Sequence, residues 1–266
     1  MTTGQAGGST AAAHTGYARY PFRGRTGYVV TPWVTGVGHE LVTIRHSSSV
    51  QPWVDSDVHL HRDSEEYYLL LAGELRLLVG GSAFSLKPRE ILMVKPRVPH
   101  AVLGGHGPIE YFVVRMPALD DRVTVGNVVH ELSAVSDEGR RELRQGWGCR
   151  VPLAQERYQN CWLFGNGQAR FRSDRMCLAY LNLPTDESAD ASWQNYPHRL
   201  HLHRESWEYY TVLAGSKTLQ VEGQSVEIRG EILEIPPGTK HVARAIHTPY
   251  EGFTFRVPRL DDKVEF

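Results

Sequence analysis

Lysine is scarce in this chain. The 29 basic residues include only Lys87, Lys95, Lys217, Lys240 and Lys263 as lysine, and the acidic residues number 30, leaving a formal net charge of −1. That balance gives no bulk attraction to nucleic acid or to an anionic membrane surface, so neither is expected as a partner. Cysteine is scarce too. Cys149, Cys161 and Cys177 form no CxxC pair, which argues against a disulfide framework and for a reducing, cytoplasmic compartment. No apolar run approaches the roughly 20 residues that span a bilayer. The opening stretch MTTGQAGGSTAAAHTG has neither a basic segment nor an apolar one, so it does not read as a signal peptide. Its Gly, Thr and Ala content predicts a disordered tail over residues 1–26. The whole chain is 41% hydrophobic and 22% charged, which is ordinary for a folded globular protein.

The dominant feature that is present is an internal repeat. HLHRDSEEYYLLLAG at 59–73 returns as HLHRESWEYYTVLAG at 201–215, with eleven of fifteen positions identical and an offset of 142 (201 − 59). REILMVKPRVPH (89–100) matches GEILEIPPGTKH (230–241), and FVVRMPALDDRV (112–123) matches FTFRVPRLDDKV (253–264), both at an offset of 141. One single-residue gap reconciles all three blocks, so the chain holds two copies of one domain.

Each copy contains short runs of Val, Leu, Ile, Tyr and Phe broken by Gly, Pro, Asn or Asp, such as EYYLLLAG, ELRLLV, SAFSL and EILMV. Such runs at close spacing predict an all-β sandwich or barrel. Gly80-Gly81 and Glu222-Gly223 read as hairpin turns. One helical candidate, around His130 to Arg144, lies between the copies. The division predicted is a first barrel over 27–126, a linker with a short helix over 127–158, and a second barrel over 159–266.

Both copies place two histidines at i and i+2, which a strand projects to one face. These are His59 and His61, then His201 and His203. A glutamate follows five residues later, Glu66 or Glu208; Glu65 is set aside because it aligns with Trp207. A third histidine, His100 or His241, ends the EIL block. Three imidazoles and one carboxylate suit Fe(II), Mn(II), Ni(II), Co(II), Cu(II) or Zn(II).

This pattern resembles the cupin superfamily. His59, His61, Glu66 and Gly73, and again His201, His203, Glu208 and Gly215, are similar to its first motif. Gly230, Pro236, Gly238 and His241 are similar to its second; in the first copy Glu90 and Lys95 hold the neighbouring positions and Arg97 replaces the turn glycine. The resemblance implies two tandem jelly-roll-like cupin barrels, each with one divalent ion, Fe(II) or Mn(II) being favoured. Members of the superfamily include dioxygenases, decarboxylases, isomerases, epimerases and non-catalytic storage proteins. Three readings follow: a metal-dependent oxidoreductase of dioxygenase type acting on a small organic metabolite with dioxygen; a non-redox isomerase, epimerase, dehydratase or decarboxylase; and a binding or storage protein. Two fused barrels are compatible with a monomer or a homo-oligomer.

Strand parity points to further residues. Counting by two from the glutamates puts Tyr68 and Leu70, and Tyr210 and Val212, on the metal side. Tyr68 and Tyr210 are the acid–base candidates, with ring packing in the barrel as the plainer alternative. Met93 and Val102, and Leu233 and Val242, are expected to complete apolar linings. Arg62 and Arg204, or Arg115 and Arg256, could clamp a carboxylate. For Arg115 and Arg256, ion pairing with Asp120, Asp121, Asp261 or Asp262 is the favoured expectation.

Overall fold

The structure, a computed structural model, describes residues 17–24, 26–32, 41–50, 54–127, 148–152, 162–165, 169, 171–173, 175–183, 199–258 and 261–266. The described residues form nineteen strands. The first ten are β1 (Ala18–Pro21), β2 (Gly27–Val30), β3 (Thr43–Ser49), β4 (Asp57–His61), β5 (Glu65–Val79), β6 (Ser82–Leu86), β7 (Glu90–Val94), β8 (His100–Met116), β9 (Arg122–Asn127) and β10 (Gly148–Pro152). Nine more follow: β11 (Trp162–Gly165), β12 (Phe171–Arg172), β13 (Cys177–Leu183), β14 (His201–His203), β15 (Trp207–Val221), β16 (Gln224–Ile228), β17 (Glu231–Ile235), β18 (His241–Val257) and β19 (Lys263–Glu265). They make two sheets of nine and ten strands, one per repeat, antiparallel except where β11 meets β12. Among the described residues no helix is long and apolar enough to cross a membrane.

Two strands change sheets. β1 precedes the first repeat but pairs with β17 of the second, Ala18 facing Glu234 and Pro21 facing Glu231. β10 lies between the repeats and pairs with β7 of the first, Gly148 facing Val94 and Pro152 facing Glu90. Thus residues 18–21 of the segment expected to be a disordered tail are a paired strand. The reason is local: after Gly16 the small-residue composition gives way to Tyr17, Tyr20 and Phe22, and Phe22 is buried in the core shared by the two barrels. β10 likewise occupies part of the predicted linker, whereas the helical candidate around His130 to Arg144 lies outside the described residues.

The long strands β5 and β15 read as nearly continuous apolar runs because both of their faces are covered. Tyr68 and Leu70 point into the first barrel, while Tyr67 and Leu69 point into the shared core. Tyr210 and Val212 point into the second barrel, and Tyr209 into the shared core. At its centre the repeat-equivalent residues Phe112 and Phe253 meet edge to face, ring centroids 5.6 Å apart, a favoured aromatic geometry. Met93 belongs to this shared core and not to the expected barrel lining. Its strand pairs Tyr68 with Leu92, so Leu92 is the residue that faces inward.

β5 and β15 bend sharply at Gly73 and Gly215, where the ladder to β8 or β18 shifts register. Both glycines have positive φ, 77° and 71°, and a Cβ there would lie 2.6 or 2.3 Å from the carbonyl oxygen of Pro108 or Pro249. Only glycine fits both restrictions. The hairpin turns fall at Gly80-Gly81 and Glu222-Gly223, all four with positive φ.

Candidate metal centres

The ligand candidates gather because three strands deliver them to one end of each barrel. His59 and His61 lie on β4, Glu66 at the start of β5, and His100 at the start of β8, directly opposite His59. In the second barrel His201 and His203 lie on β14, Glu208 on β15, and His241 on β18 opposite His201. In each group one ligand atom per residue lies within 4.8 Å of all the others. The two groups superpose closely in their internal spacing. Ring centroids stand 4.5, 5.5 and 5.7 Å apart for the pairs His59–His100, His59–His61 and His61–His100. The matching distances in the second barrel are 4.4, 5.4 and 5.9 Å.

The surroundings fix which nitrogen faces the centre. His100 Nδ1–H donates to the carbonyl of Val98 (2.8 Å), and His241 Nδ1–H to that of Thr239 (2.9 Å). His201 Nδ1–H donates to Arg199 O (2.9 Å), and His61 and His203 donate to Asp121 Oδ1 (2.8 Å) and Asp262 Oδ1 (3.1 Å). Five of the six imidazoles therefore hold their proton on Nδ1 and turn Nε2 toward the glutamate; His59 Nδ1 is buried without a partner. Outer partners of this kind orient metal-bound histidines.

Charge completes the fit to a cation. His100 Nε2 lies 2.7 Å from Glu66 Oε2, and His241 Nε2 lies 2.6 Å from Glu208 Oε2. An imidazole already donating through Nδ1 can approach a carboxylate so closely only with a positive charge between them, a proton or a metal ion. Burial alone would raise the pKa of Glu66 and Glu208, but the surrounding histidines hold both well below the usual carboxylate range. Burial, with His100 adjacent, pushes His59 down to about 4, and burial also lowers His61. The anionic glutamates and the lowered His59 and His61 are the protonation states that ligation requires, whereas at His100 burial is outweighed by the Glu66 hydrogen bond and charge, which raise it and hold a proton where an ion would stand. The donor set thus fits a divalent transition ion in both barrels.

Tyr68 and Tyr210 face the centres, as strand parity predicts. Each hydroxyl donates to the glutamate of its own barrel, Tyr68 to Glu66 Oε2 and Tyr210 to Glu208 Oε2, both at 3.0 Å. Burial, reinforced by the Glu66 charge, drives the Tyr68 phenol well above its ordinary value.

The arginines differ from expectation. Arg62 and Arg204 are exposed. Arg115 and Arg256 make no direct hydrogen-bonded pair with the following aspartates, although the Asp262 charge, after Glu208, favours the Arg256 guanidinium; both line the cavities beside the ligands, their Nε atoms buried without partners. The aspartates are taken instead by the ligand loop. Asp121 accepts from Asp63 N, Ser64 N and Ser64 Oγ besides His61, and Asp262 from Glu205 N and Ser206 N besides His203. Sequence reading missed this role, although recurrence of the LDD motif in both repeats was its signal.

Arg97, which replaces a turn glycine, keeps the turn. Its φ is 65°, against 80° at Gly238, and Arg97 N–H donates to His61 O just as Gly238 N–H donates to His203 O, both 2.7 Å. A cavity of about 240 Å³ opens on the first centre and one of about 120 Å³ on the second.

Comparison with known proteins agrees with this arrangement. Residues 47–115 match the family model described as a cupin domain. No curated protein sequence matches the chain. Among solved structures, the protein Ylba from E. coli is similar over 97% of both chains at 12% identity, with a TM-score of 0.58. Salicylate 1,2-dioxygenase from Pseudaminobacter salicylatoxidans is similar over 88% of this chain and 76% of its own, at 9% identity and a TM-score of 0.58. Oxalate decarboxylase from Bacillus subtilis covers 93% of this chain and 79% of its own at 12% identity and a TM-score of 0.49. Residues 47–115 are thus a cupin domain, and the second repeat carries the same HXH and glutamate set on a barrel of the same strand order.

Proposed function

We propose that this chain is a bicupin, a metal-dependent oxidoreductase of dioxygenase type, acting on a small organic metabolite bound within a barrel. The observation that carries the reading is the set of inward-turned Nε2 atoms around one buried carboxylate, repeated in both barrels. His59, His61, Glu66 and His100 would hold one ion, and His201, His203, Glu208 and His241 the other. An ion held by these four protein donors would supply the activation of substrate and dioxygen that this reading requires. Fe(II) or Mn(II) suits that chemistry best.

The chain's own groups then have positioning roles. Asp121 and Asp262 keep His61 and His203 in the required tautomer. Tyr68 and Tyr210 orient the glutamates through their hydroxyls. Its hydroxyl donating to Glu66 and its pKa raised, Tyr68 stays a neutral phenol and a poor acid, which supports placing the reaction at the ion and not at the phenol. Substrate would enter beside Arg115 or Arg256, whose unpartnered Nε atoms offer donors to an oxygen of the substrate.

The test is the metal content of protein purified without chelators or a metal-affinity tag, followed by oxygen uptake with a panel of organic acids, phenols and enols, salicylate included. About two equivalents of iron or manganese, matching the two ligand sets, with substrate-dependent oxygen consumption, is the expected result. Two equivalents of zinc with no uptake would replace this reading with a non-redox lyase or isomerase. Absence of metal before and after reconstitution would leave only the binding-protein reading.

A further inference from the structure

The two barrels are near copies at their ligands, so divergence elsewhere in their interiors shows what each one admits. The repeat offset of 141 pairs Tyr111 on β8 with Gly252 on β18, and Ile109 with Tyr250. The ladders agree: Tyr111 faces Leu70 and Ser47, and Gly252 faces Val212 and Leu181. Both barrels thus have a tyrosine here, but in the second it starts two residues earlier, on the same face of the strand. The glycine makes room for it. A Cβ on Gly252 would lie 2.5 Å from the Tyr250 hydroxyl oxygen and 2.6 Å from Thr211 O. The end of the Tyr250 phenol therefore occupies the place from which the Tyr111 side chain rises in the first barrel.

This exchange changes how far each cavity reaches. The bends at Gly73 and Gly215 lie at the barrel ends away from the ligands, since the four residues from Glu208 to Val212 on β15 already span about 13 Å. In the first barrel the buried Tyr111 side chain joins Leu75 and Ile109 in the interior cluster, and its hydroxyl is hydrogen-bonded with Ser47. Tyr111 lines the cavity over the ligands, whereas Ser47, Leu75 and Ile109 behind it do not. In the second barrel the counterparts of those three, Leu181, Lys217 and Tyr250, all line the cavity together with His201, His203 and Glu208. Among the described residues, the second cavity thus runs from the centre to the bend, and the first stops at Tyr111. At about 120 Å³ against about 240 Å³ the second is nevertheless the smaller. It is long and narrow, and the first is short and broad.

We infer that Tyr111 and Gly252 are specificity-determining residues that set the length of molecule each barrel accepts: the second barrel takes a slender, unbranched organic molecule whose oxygen-bearing head meets the His201, His203, Glu208 and His241 centre and whose chain passes Gly252 toward the bend, and the first takes only a short one. The placing of the head rests on the proposed metal-dependent function; the length selection rests on the walls alone. Leu181, Val242 and Ala243 give the passage buried apolar sides, so each methylene that enters it leaves water and tightens binding about fourfold.

The test is isothermal titration of the whole chain with straight-chain 2-hydroxy acids, from glycolate to 2-hydroxyhexanoate. Wild type, Tyr111→Ala and Leu181→Phe are compared, with metal content and thermal unfolding measured on each. Wild type is expected to bind the short acids at both centres and the long ones at one, with affinity there rising about fourfold per methylene. Tyr111→Ala opens the first barrel and adds a second site for the long acids. Leu181→Phe narrows the passage and cancels the rise, leaving glycolate binding unchanged. An affinity that does not rise with chain length in wild type overturns the inference, as does a folded Leu181→Phe protein that keeps the rise. Should Leu181→Phe not fold, Tyr111→Ala decides, and no added site for the long acids overturns it. A chain without metal that still shows the rise, and its loss in Leu181→Phe, refutes the metal-dependent function alone. A metal-loaded chain with a flat dependence refutes the length selection alone.

Discussion

Replacing Asp262 by Asn should weaken metal binding in the second barrel about 10- to 100-fold, and the reason lies in counting donors. Asp262 Oδ1 accepts from His203 Nδ1–H at 3.1 Å, and Oδ2 accepts from the backbone N–H groups of Glu205 and Ser206 at 2.8 and 2.7 Å. Asparagine has one acceptor oxygen where aspartate has two. If its NH2 turns to His203, the imidazole must move its proton to Nε2, the atom that should bind the ion. If its NH2 turns to the loop, two backbone donors face a donor, and the loop between β14 and β15 that carries Glu208 loses its anchor. Either outcome forfeits a charge-assisted hydrogen bond, about 1.5–3 kcal/mol, in line with the roughly 10- to 100-fold effects of such outer partners. Asp121→Asn should cost the first barrel a similar amount, since Asp121 holds His61 and the Asp63 and Ser64 amides in the same way. The assay is competition against a chromophoric chelator on metal-free protein, with the other barrel silenced by Glu66→Gln or Glu208→Gln. An affinity within twofold of wild type for Asp262→Asn would refute the tautomer argument.

Three further expectations follow from the same geometry. Tyr68→Phe and Tyr210→Phe each remove one hydrogen bond to a ligand carboxylate, so metal affinity should fall by about tenfold or less; loss of turnover with metal fully retained would instead make the phenol an acid–base group. Phe22→Ala should cost about 3–5 kcal/mol in urea or thermal unfolding, because Phe22 is buried in the shared core beside Phe112; a change below about 1 kcal/mol would show that the strand-exchanged segment contributes little. Arg97→Gly should raise the urea midpoint at unchanged slope, by about 0.5–1 kcal/mol, since φ at Arg97 is 65° and the second barrel has Gly238 there; a lowered midpoint would contradict it.

The ligand sets were legible in the sequence because two simple regularities converge on them. Strand parity places His59 with His61 on one face, and the repeat chooses Glu66 over Glu65. The same parity found the orientation of Tyr68 and Tyr210. It failed at Lys217 for a physical reason: β15 shifts register between Val212 and Ala214 and again between Ala214 and Ser216. A count by two from Glu208 therefore loses its meaning before reaching Lys217. The exchanged strands β1 and β10 were illegible because their partners lie more than 200 and about 55 residues away, and nothing in ARYP or GCRVP names them. Arg115 and Arg256 were assigned to the neighbouring aspartates by adjacency. Adjacency cannot show that the turn after β8 or β18 carries Asp121 or Asp262 back to the ligand loop.

The duplication also works as an internal control on function. A feature kept in both barrels must serve what the barrels share. The ligands, Tyr68 and Tyr210, Asp121 and Asp262, and Arg115 and Arg256 all satisfy that condition and all surround the centres. A feature present in one barrel alone must serve something the other does not do, or nothing. Arg97 against Gly238 is of the second kind, since both residues adopt the same turn and donate to the same carbonyl position. Leu75 against Lys217 is not, because a buried charge replaces an apolar core side chain, and Arg199 stands where the first barrel has Asp57 (199 − 57 = 142). Among the described residues, both positions thus add positive charge to the second cavity while the ligand geometry stays fixed. The common parts are the candidate ligands and the groups that orient them, and the divergent parts are where the two cavities differ.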